Sequence, residues 1–291
     1  MKQITVNREM VFSTFRKRPK DCHKGDFGRL LNLAGSANYP GAAILSSRAA
    51  YAAGCGYVYL ASLRDVCEKL IPVLPEAVLV PLEAYDGVIA RENIDLLCRI
   101  IDKMSAVLIG CGVSNHEEIY QLLKYLLKQN VKLVIDADGL NVLSSHLDLL
   151  KNKKADVILT PHIGEFHRLS GWDTETVKRY PARVARDFAD EYRVTLILKD
   201  SVSCIASYKA DEVYFIENGS PGMAKAGSGD ALAGITGSLL AQGYPLLASA
   251  CMAAWLHAEA GSKAASLKGE TGMRASDLID ALPLVLLEND R

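Results

Sequence analysis

The chain has 291 residues, of which 49% are hydrophobic and 23% are charged, and its formal net charge at pH 7 is -1. This composition is typical of a globular protein and excludes an acidic disordered chain. Because dedicated nucleic-acid-binding proteins carry a strong basic excess, we expect no nucleic-acid partner. The length suits one large α/β domain or two smaller ones.

The cysteines and the long apolar segments indicate a cytoplasmic protein without a membrane span. The seven cysteines lie in apolar stretches without a C-x-x-C pair, which predicts buried, reduced thiols. The N-terminus lacks the apolar run of a signal peptide. Residues 231–256 carry no charge, but Gly243 and Pro245 divide them into halves too short to cross a bilayer. Two buried helices are therefore predicted there.

Apolar runs of strand length alternate with helical patterns along the chain. Strands are predicted at 30–34, 57–62, 77–80, 106–110, 131–136, 156–160, 194–199, 201–207 and 212–216. Helices are predicted at 40–53, 92–104, 117–128, 176–192, 230–241 and 246–265. Several strands are apolar throughout, which indicates burial on both faces between helix layers. We predict one α/β domain, a three-layer α/β/α sandwich with a mostly parallel sheet and an antiparallel edge.

Glycine and polar residues collect directly after the predicted strands. Gly110 to Gly112 follow the fourth strand, and Asp136 follows the fifth. Residues 161–165 follow the sixth strand, and Lys199 ends the seventh. Because ligands of open α/β sheets bind beyond the carboxyl ends of the strands, this distribution favours an enzyme over a structural protein.

The most informative segment is the glycine-rich stretch before the helix at 230–241. Gly227, Ser228 and Gly229 allow a turn that exposes consecutive N–H groups, to which the helix adds its positive dipole end. This predicts an anion hole, with Asp230 at its mouth as general base for a substrate hydroxyl. Asp is also a favoured helix N-cap, so the aspartate alone leaves both interpretations open. The glycines and the small residues of the helix favour the functional one.

Two further glycine motifs are weaker. Residues 219–225 nearly match a P-loop, but Ala224 replaces the second glycine and Ala226 replaces the Ser or Thr. These replacements exclude a Walker-type nucleoside triphosphatase. The pair Gly110 and Gly112 lacks the third glycine of a dinucleotide-binding fingerprint. A tight turn between strand and helix accounts for this pair equally well.

Two histidines near Glu165 suggest a metal site only weakly. His162, Glu165 and His167 match no strong zinc spacing, so no tightly bound metal is expected. His162 is better interpreted as a substrate contact at the crevice. Glu165 also suits a capping role at the start of the helix that follows.

These motifs together resemble the NAD(P)H-hydrate dehydratases, repair enzymes of the ribokinase superfamily. The resemblance covers about residues 24–272 and rests on 23–29, 35–36, 39–42, 136–141, 160–165 and 218–234. It implies a ribokinase-like fold and a hydro-lyase reaction on NADHX or NADPHX, the hydrated forms of NADH and NADPH. ADP or ATP, with Mg²⁺, would phosphorylate the ring hydroxyl of the S-epimer. Elimination of phosphate would then restore the cofactor.

The resemblance also implies a role for individual residues. The catalytic base would be Asp230, and the anion hole would comprise Gly227, Ser228 and Gly229. The hydrated cofactor would contact Ala42, Gly112, His162 and Asp230. The adenine nucleotide would be held by Lys199, Asp200, Ser201, Val202, Ser203 and Gly229. The residues near the phosphates and Mg²⁺ would be Asn141 and Glu165.

The chain departs from the family pattern at three places. Ser228 replaces a threonine, Asp200 adds a negative charge where glycine is expected, and the loop 110–114 lacks a proline and a final glycine. The resemblance further implies a homotetramer. The short leader, 1–23, leaves no room for the epimerase domain that precedes many bacterial relatives, so only the S-epimer is expected to react.

Two other functions remain open at this point. A kinase of the same superfamily would phosphorylate a vitamin precursor alcohol of the hydroxymethylpyrimidine or thiazole type. A non-catalytic nucleotide sensor would keep the fold without turnover. The motifs at 23–26 and 160–165 favour the dehydratase over the kinase.

Overall fold

The computed structural model describes residues 1–287. Its strands are β1 Gln3–Thr5, β2 Arg29–Leu33, β3 Tyr57–Leu63, β4 Val78–Leu82, β5 Ala84–Tyr85, β6 Val88–Ile89, β7 Ala106–Ile109, β8 Lys132–Ile135, β9 Asp156–Leu159, β10 Thr195–Leu198, β11 Ser203–Ser207 and β12 Val213–Ile216. Its helices are α1 Arg8–Thr14, α2 Pro40–Ala52, α3 Arg64–Leu70, α4 Ile94–Ile100, α5 Glu117–Leu127, α6 Ala137–Ser144, α7 Asp148–Lys151, α8 Ile163–Ser170, α9 Thr174–Arg179, α10 Pro181–Tyr192, α11 Ser228–Ala241, α12 Leu246–Lys268 and α13 Ala275–Leu287. Short 3-10 turns lie at Lys24–Phe27, Arg91–Asn93, Ile101–Lys103 and Pro221–Met223.

Ten strands form one sheet in the order β1-β12-β11-β10-β9-β8-β7-β2-β3-β4, and β5 pairs with β6 separately. Strand β11 is antiparallel to both of its neighbours, whereas the other pairs of the large sheet are parallel. The predicted mostly parallel sheet, with antiparallel pairing towards one edge, is thus confirmed. The first strand, β1, pairs with β12 and covers that edge.

The central strands are apolar because helices cover both faces of the sheet. Strands β7 and β8 carry Val, Leu and Ile side chains that are buried. Helices α2, α11, α12 and α13 pack together on one face, while α5, α6, α8 and α10 lie on the other. Val6 and Val11, within the predicted leader, belong to the same buried core. None of the helices within residues 1–287 has the length and apolar character that a membrane span needs.

The prediction of a single helix over 176–192 is wrong, because two helices cover this range. Helix α9 ends at Arg179, Tyr180 lies between the helices, and α10 begins at Pro181. Proline suits the first helical turn but cannot continue a helix, because it lacks an N–H and restricts the residue before it. The chain therefore bends at Pro181, although the apolar periodicity continues across it.

Small residues let α11 lie directly against α2. A Cβ atom at Gly234 would overlap the carbonyl oxygen of Ser46 and contact the Ala49 side chain. The two helix backbones therefore meet at Gly234. This contact fixes α11, whose N-terminus enters the functional site described below.

We predict that Gly234→Ala destabilises the protein by about 2 kcal/mol or more, because backbone overlap outweighs the higher helix propensity of alanine. Denaturant unfolding monitored by circular dichroism measures the change. Gly41→Ala is the matched control, since a Cβ at Gly41 meets no atom within 4 Å. An effect at Gly234 no larger than at Gly41 would contradict the packing argument.

Candidate active site

The loops that follow β7, β8, β9 and β10 converge with the N-terminus of α11 at the carboxyl end of the sheet. Asp136 directly follows β8 and occupies the N-cap position of α6. Its side chain is 1% exposed and lies between the ends of β7 and β10. A buried carboxylate requires hydrogen-bonding or charged partners, and each neighbouring strand end supplies one.

A buried ion pair forms the base of the site. Asp136 Oδ1 accepts hydrogen bonds from Lys199 Nζ at 2.9 Å and from Thr160 Oγ1 at 2.6 Å. Lys199 Nζ also lies 3.8 Å from Glu165 Oε2. Burial alone would lower the pKa of Lys199, but the carboxylates of Asp136 and Glu165 outweigh it and raise that pKa above its ordinary value. Lys199 is therefore a fixed cation at the carboxyl ends of the strands.

Asp230 lies beside this pair in the first turn of α11. Its carboxylate, the Asp136 carboxylate and the Cys111 thiol have ligand atoms within 4.8 Å of one another. Burial and the charge of Asp136 raise the pKa of Asp230 to about 6, against the lowering effects of Cys111 and Lys199. A carboxyl group with a pKa near neutrality is suited to proton transfer, because it ionises yet still binds a proton readily.

The predicted anion hole lies at the glycine turn before α11. Gly227 has φ +91° and begins the helix with no side-chain cap, so the first N–H groups of the helix are not bonded within it. At Gly229 a Cβ would lie 3.4 Å from Lys199 Nζ and 3.9 Å from Asp136 Oδ2. The turn, the ion pair and Asp230 therefore border one space, in which positive potential from amides and ammonium favours an anion.

A histidine behind the turn supports Ser228. The Nε2 atom of His257, on α12, lies 2.9 Å from the Ser228 carbonyl oxygen and 3.1 Å from Ser228 Oγ. Since a carbonyl oxygen only accepts, Nε2 donates to it. Burial lowers the pKa of His257 to about 4, so this histidine is neutral at pH 7. It fixes the first residue of α11.

Gly112 and Ala42 face each other across the loop between β7 and α5. Gly112 has φ +65°, and a Cβ there would lie 2.8 Å from Ala42 Cβ and 2.7 Å from Tyr39 Cβ. Gly112 directly follows Cys111, whose carbonyl oxygen accepts a hydrogen bond from the Gly35 amide. Only glycine fits at position 112, because Ala42 and Tyr39 pack closely against it.

His162 and Glu165 form a reciprocal cap at the start of α8. His162 Nδ1 accepts from the amides of Gly164 and Glu165, while Glu165 Oε2 accepts from the His162 amide at 2.8 Å. The His162 ring remains exposed, and the Lys199 amide bonds the Pro161 carbonyl. The capping role foreseen for Glu165 is present, and His162 borders the same crevice through Lys199.

The predicted nucleotide segment is the hairpin turn between β10 and β11. Lys199 points inward to the ion pair, whereas Asp200 to Val202 are exposed. Asp200 Oδ1 accepts a hydrogen bond from the Ser201 amide at 2.9 Å, and Ser203 Oγ donates to the Asp200 carbonyl at 3.4 Å. A cavity of about 170 Å³ adjoins this turn. Of the whole segment, only Lys199 reaches the cluster around Asp230.

Asn141, on α6, is engaged by a neighbouring arginine. Its Oδ1 atom accepts two hydrogen bonds from Arg168, at 3.0 and 3.2 Å. Glu165 is likewise engaged, by the His162 amide and Lys199. Mg²⁺ prefers unpaired oxygen ligands and substrate phosphates. These two side chains therefore do not form a ready Mg²⁺ site, and a metal would fit here as part of a nucleotide complex.

Two sequence motifs lie away from the site. Residues 23–29 occupy the 3-10 turn and the start of β2, at the amino-terminal end of the sheet, beside a cavity of about 620 Å³. Lys225, in the near match to a P-loop, donates to the carbonyls of Thr271 and Met273 at 2.6 Å. Its ammonium therefore stabilises the loop before α13, in agreement with the rejection of a Walker-type site.

Comparison with known proteins agrees with this geometry. A family model described as NAD(P)H-hydrate dehydratase matches residues 30–284. The chain belongs to this family. It is similar to the bifunctional NAD(P)H-hydrate repair enzyme Nnr of Moorella thermoacetica, with 36% identity over 276 residues that cover 94% of this chain and 52% of the relative. The chain thus spans about half the length of the bifunctional relatives it matches.

A single-function relative and a solved structure lie in the same family. The ADP-dependent (S)-NAD(P)H-hydrate dehydratase of Neisseria meningitidis is 35% identical over 266 residues, which cover 90% of this chain and 84% of the relative. The ADP/ATP-dependent NAD(P)H-hydrate dehydratase of Bacillus subtilis, co-crystallised with ATP/Mg2+, has a TM-score of 0.86 and 27% identity over 98% of each chain. The predicted ribokinase-like sandwich of this dehydratase family is confirmed.

Four residues of the candidate site are not predicted as site residues from the sequence. Asp136, Thr160, Cys111 and His257 contact one another or the glycine turn. Asp136 and Thr160 had a usable signal, because both end apolar strands at the carboxyl edge. Cys111 looks like an ordinary buried thiol, and His257 lies within the uncharged segment of a buried helix. Only the tertiary packing identifies these two.

We predict that Lys199→Met destabilises the protein by about 3–5 kcal/mol, because it leaves the Asp136 charge buried and unpaired. In the double variant Lys199→Met/Asp136→Asn the loss should be smaller, and a double-mutant cycle from urea unfolding measures the coupling. Lys209→Met is the control, since its pair with Asp156 is about half exposed and should change stability by about 0.5 kcal/mol or less. Equal losses for the two lysines would refute the buried pair.

Proposed function

We propose that this protein is an ADP- or ATP-dependent (S)-NAD(P)H-hydrate dehydratase, a hydro-lyase that repairs NADHX and NADPHX. The observation that carries the proposal is Asp230, with its raised pKa, between a glycine anion hole and the loop of Gly112. A general base, an anion site and an open side for a ring are what phosphorylation of a ring alcohol needs. The family membership supports the same reaction.

The proposed chemistry has two steps. Asp230 takes the proton of the ring hydroxyl as that oxygen attacks the terminal phosphorus of the nucleotide, and the amides near Gly229 stabilise the transferred phosphoryl group. The bond between the ring carbon and the phosphate oxygen then breaks and inorganic phosphate leaves, while the adjacent ring carbon gives a proton to water and the C–H electron pair forms the ring double bond. The ring double bond is restored without oxidation or reduction. Phosphorylation is required because hydroxide is a poor leaving group and phosphate is a good one.

Lys199 supports the proposed nucleotide site through its charge. Its ammonium lies 3.4 Å from the position of a Cβ on Gly229, so it borders the anion hole. Asp200 to Ser203 would form the outer wall against the adenine nucleotide, as the resemblance implies. Mg²⁺, when bound with the nucleotide, supplies charge neutralisation of the phosphates. Roles for Asn141 and Glu165 near the phosphates stay predictions.

The substrate side of the proposal rests on the opposite wall of the crevice. Ala42 and Gly112 offer two adjacent small residues, and His162 offers an exposed imidazole. A hydrated nicotinamide ring would enter between the small residues and Asp230. The vitamin-precursor kinase shares the anion hole and the base, so its distinguishing property is the product: a stable phosphate ester instead of released phosphate. A nucleotide sensor would give neither product.

We predict that the protein restores the near-ultraviolet absorbance of hydrated NADH in the presence of ADP or ATP, and that Asp230→Asn abolishes this turnover. Nucleotide binding by the variant should persist, because the amides of the glycine turn remain. Parallel assays with each nucleotide, with phosphate release and calorimetric nucleotide binding as further readouts, test this and identify the donor.

Asp173→Asn is the matched control for this assay. Asp173 is the exposed N-cap of α9, outside the site, and asparagine caps a helix equally well. Its turnover should equal that of the unaltered protein. No recovery of absorbance with either nucleotide would reject the dehydratase, and accumulation of a phosphorylated vitamin-precursor alcohol would favour the kinase.

The raised pKa of Asp230 has opposite consequences for activity and stability. Activity requires the carboxylate, so kcat/KM should fall as pH decreases through about 6.

The contribution of Asp230 to the unfolding free energy should instead rise as the pH decreases from about 6 to 4. In this range the folded state binds a proton that the unfolded chain does not bind. Asp230→Asn should therefore raise the unfolding free energy by about 2 kcal/mol at pH 8, with a smaller gain at pH 5. Thermal unfolding at both pH values tests this, and a gain that grows towards pH 5 would contradict it.

The proposal also includes a cytoplasmic location, a homotetrameric assembly and specificity for the S-epimer. Reduced thiols and an intracellular substrate support the cytoplasm as its location. The homotetramer implied by the resemblance is measured by sedimentation equilibrium of the purified protein. Specificity for the S-epimer is tested with the two separated epimers.

A further inference from the structure

The Cys111 thiol occupies a place that the proposed reaction does not use. It follows β7 and Gly110, is fully buried, and lies 3.9 Å from Asp136 Oδ2. Its sulfur atom also lies within 4.8 Å of a carboxylate oxygen of Asp230. A single S–H group therefore lies between two carboxylates, the buried one of the ion pair and the proposed base.

The oxygen atoms of Asp136 divide their partners unequally. Thr160 and Lys199 both donate to Oδ1, while Oδ2 faces the thiol. Asp136 is thus held on one side by fixed donors and on the other by Cys111. Asp230, in the first turn of α11, is the second carboxylate near the thiol.

The charged and titratable groups around Asp230 follow three strands of the sheet. They are Cys111 after β7, Asp136 and Asp138 after β8, and Lys199 after β10. The two aspartates disfavour the Asp230 carboxylate, whereas Lys199 and the thiol favour it. Burial and the charges of Asp230 and Asp136 raise the pKa of Cys111 well above its ordinary value, so the group remains a thiol and a donor at neutral pH.

We propose that Cys111 is a positioning residue of the reaction: its S–H group links the carboxylates of Asp230 and Asp136 and holds Asp230 ionised and oriented. This proposal rests on the proposed function. Before proton transfer the S–H group donates to the Asp230 carboxylate. After Asp230 has taken the substrate proton, the same group donates to Asp136 Oδ2, which stays charged beside Lys199. The thiol keeps its proton throughout, and no bond to sulfur forms.

A metal site at the same three groups is a poorer interpretation. The donor set contains a thiol, which suits soft or borderline metals and not Mg²⁺. Lys199 Nζ lies 2.9 Å from Asp136 Oδ1 and already supplies the positive charge that a cation would bring. A divalent ion beside this ammonium would be repelled. The geometry therefore points to a hydrogen-bond bridge.

The test compares Cys111→Ala, which removes the donor, with Cys111→Ser, which replaces S–H by O–H. For Cys111→Ala the acid limb of kcat/KM against pH should move upward by about one unit, the shift expected for loss of one hydrogen bond to a carboxylate. Its activity relative to the unaltered protein should thus fall about tenfold further at pH 5 than at pH 8. Cys111→Ser should keep the acid limb near its original position.

Cys55→Ala is the matched control, because Cys55 is a buried thiol whose S–H donates to the Tyr57 carbonyl at 3.1 Å, at the amino-terminal end of β3. It should lose stability without any change in the acid limb. A purely structural role for Cys111 would give the same result for Cys111→Ala, and that outcome would overturn the proposal. An acid limb shifted equally in Cys111→Ser and Cys111→Ala would also overturn it.

Infrared spectroscopy of the S–H stretch tests the bridge without any turnover. The Cys111 band, assigned by difference from Cys111→Ser, should shift with pH as Asp230 protonates near pH 6, and Asp230→Asn should abolish the shift. A band that does not respond to pH refutes the bridge even if the enzyme repairs NADHX. Conversely, a band that responds to pH in a protein that does not repair NADHX would refute the proposed function and support the hydrogen-bond bridge.

Discussion

The buried contact between Lys199 and Asp136 connects the ends of two strands that are separated by a third, β9. Thr160, at the end of that middle strand, donates to the same carboxylate, so three neighbouring strand ends meet at one oxygen atom. Since a buried carboxylate without such partners would be strongly unfavourable, the loops after these strands have little freedom. Gly229 and Asp230 pack against this fixed base, and the geometry of the proposed reaction depends on it.

The two aspartates of the candidate site, Asp136 and Asp230, have different surroundings. Asp136 has a lysine and a hydroxyl as partners, whereas Asp230 has burial and a neighbouring negative charge, which raise its pKa to about 6. Two carboxyl groups with different surroundings can have different roles: Asp136 holds the buried ion pair, and Asp230, as the proposed base, exchanges a proton. The raised pKa also means that the folded protein holds Asp230 in an unfavourable charge state at neutral pH, as functional sites commonly do.

Most of the fold followed from apolar runs and the glycine segment, because buried parallel strands are continuous in Val, Ile and Leu and their boundaries coincide with glycine or polar residues. The break at Pro181 was missed because apolar periodicity continues through it. At the candidate site, Asp230 and the glycine turn can be proposed from the sequence because their signal is local. The partners of Asp136 and the support of Ser228 by His257 depend on packing between segments distant in sequence, which no local pattern encodes.

The pairing of β1 with β12 also has a consequence for the whole molecule. Residues Gln3–Thr5 pair with β12 and thereby add the tenth strand to the sheet. Without β1, the backbone amides and carbonyls on that side of β12 would face solvent. Because β1 is a short edge strand, it offers few backbone groups for pairing with a strand of another molecule. Natural sheets commonly avoid aggregation in this way. Loss of the first few residues by proteolysis would expose the backbone groups of β12 and favour pairing with a strand of another molecule.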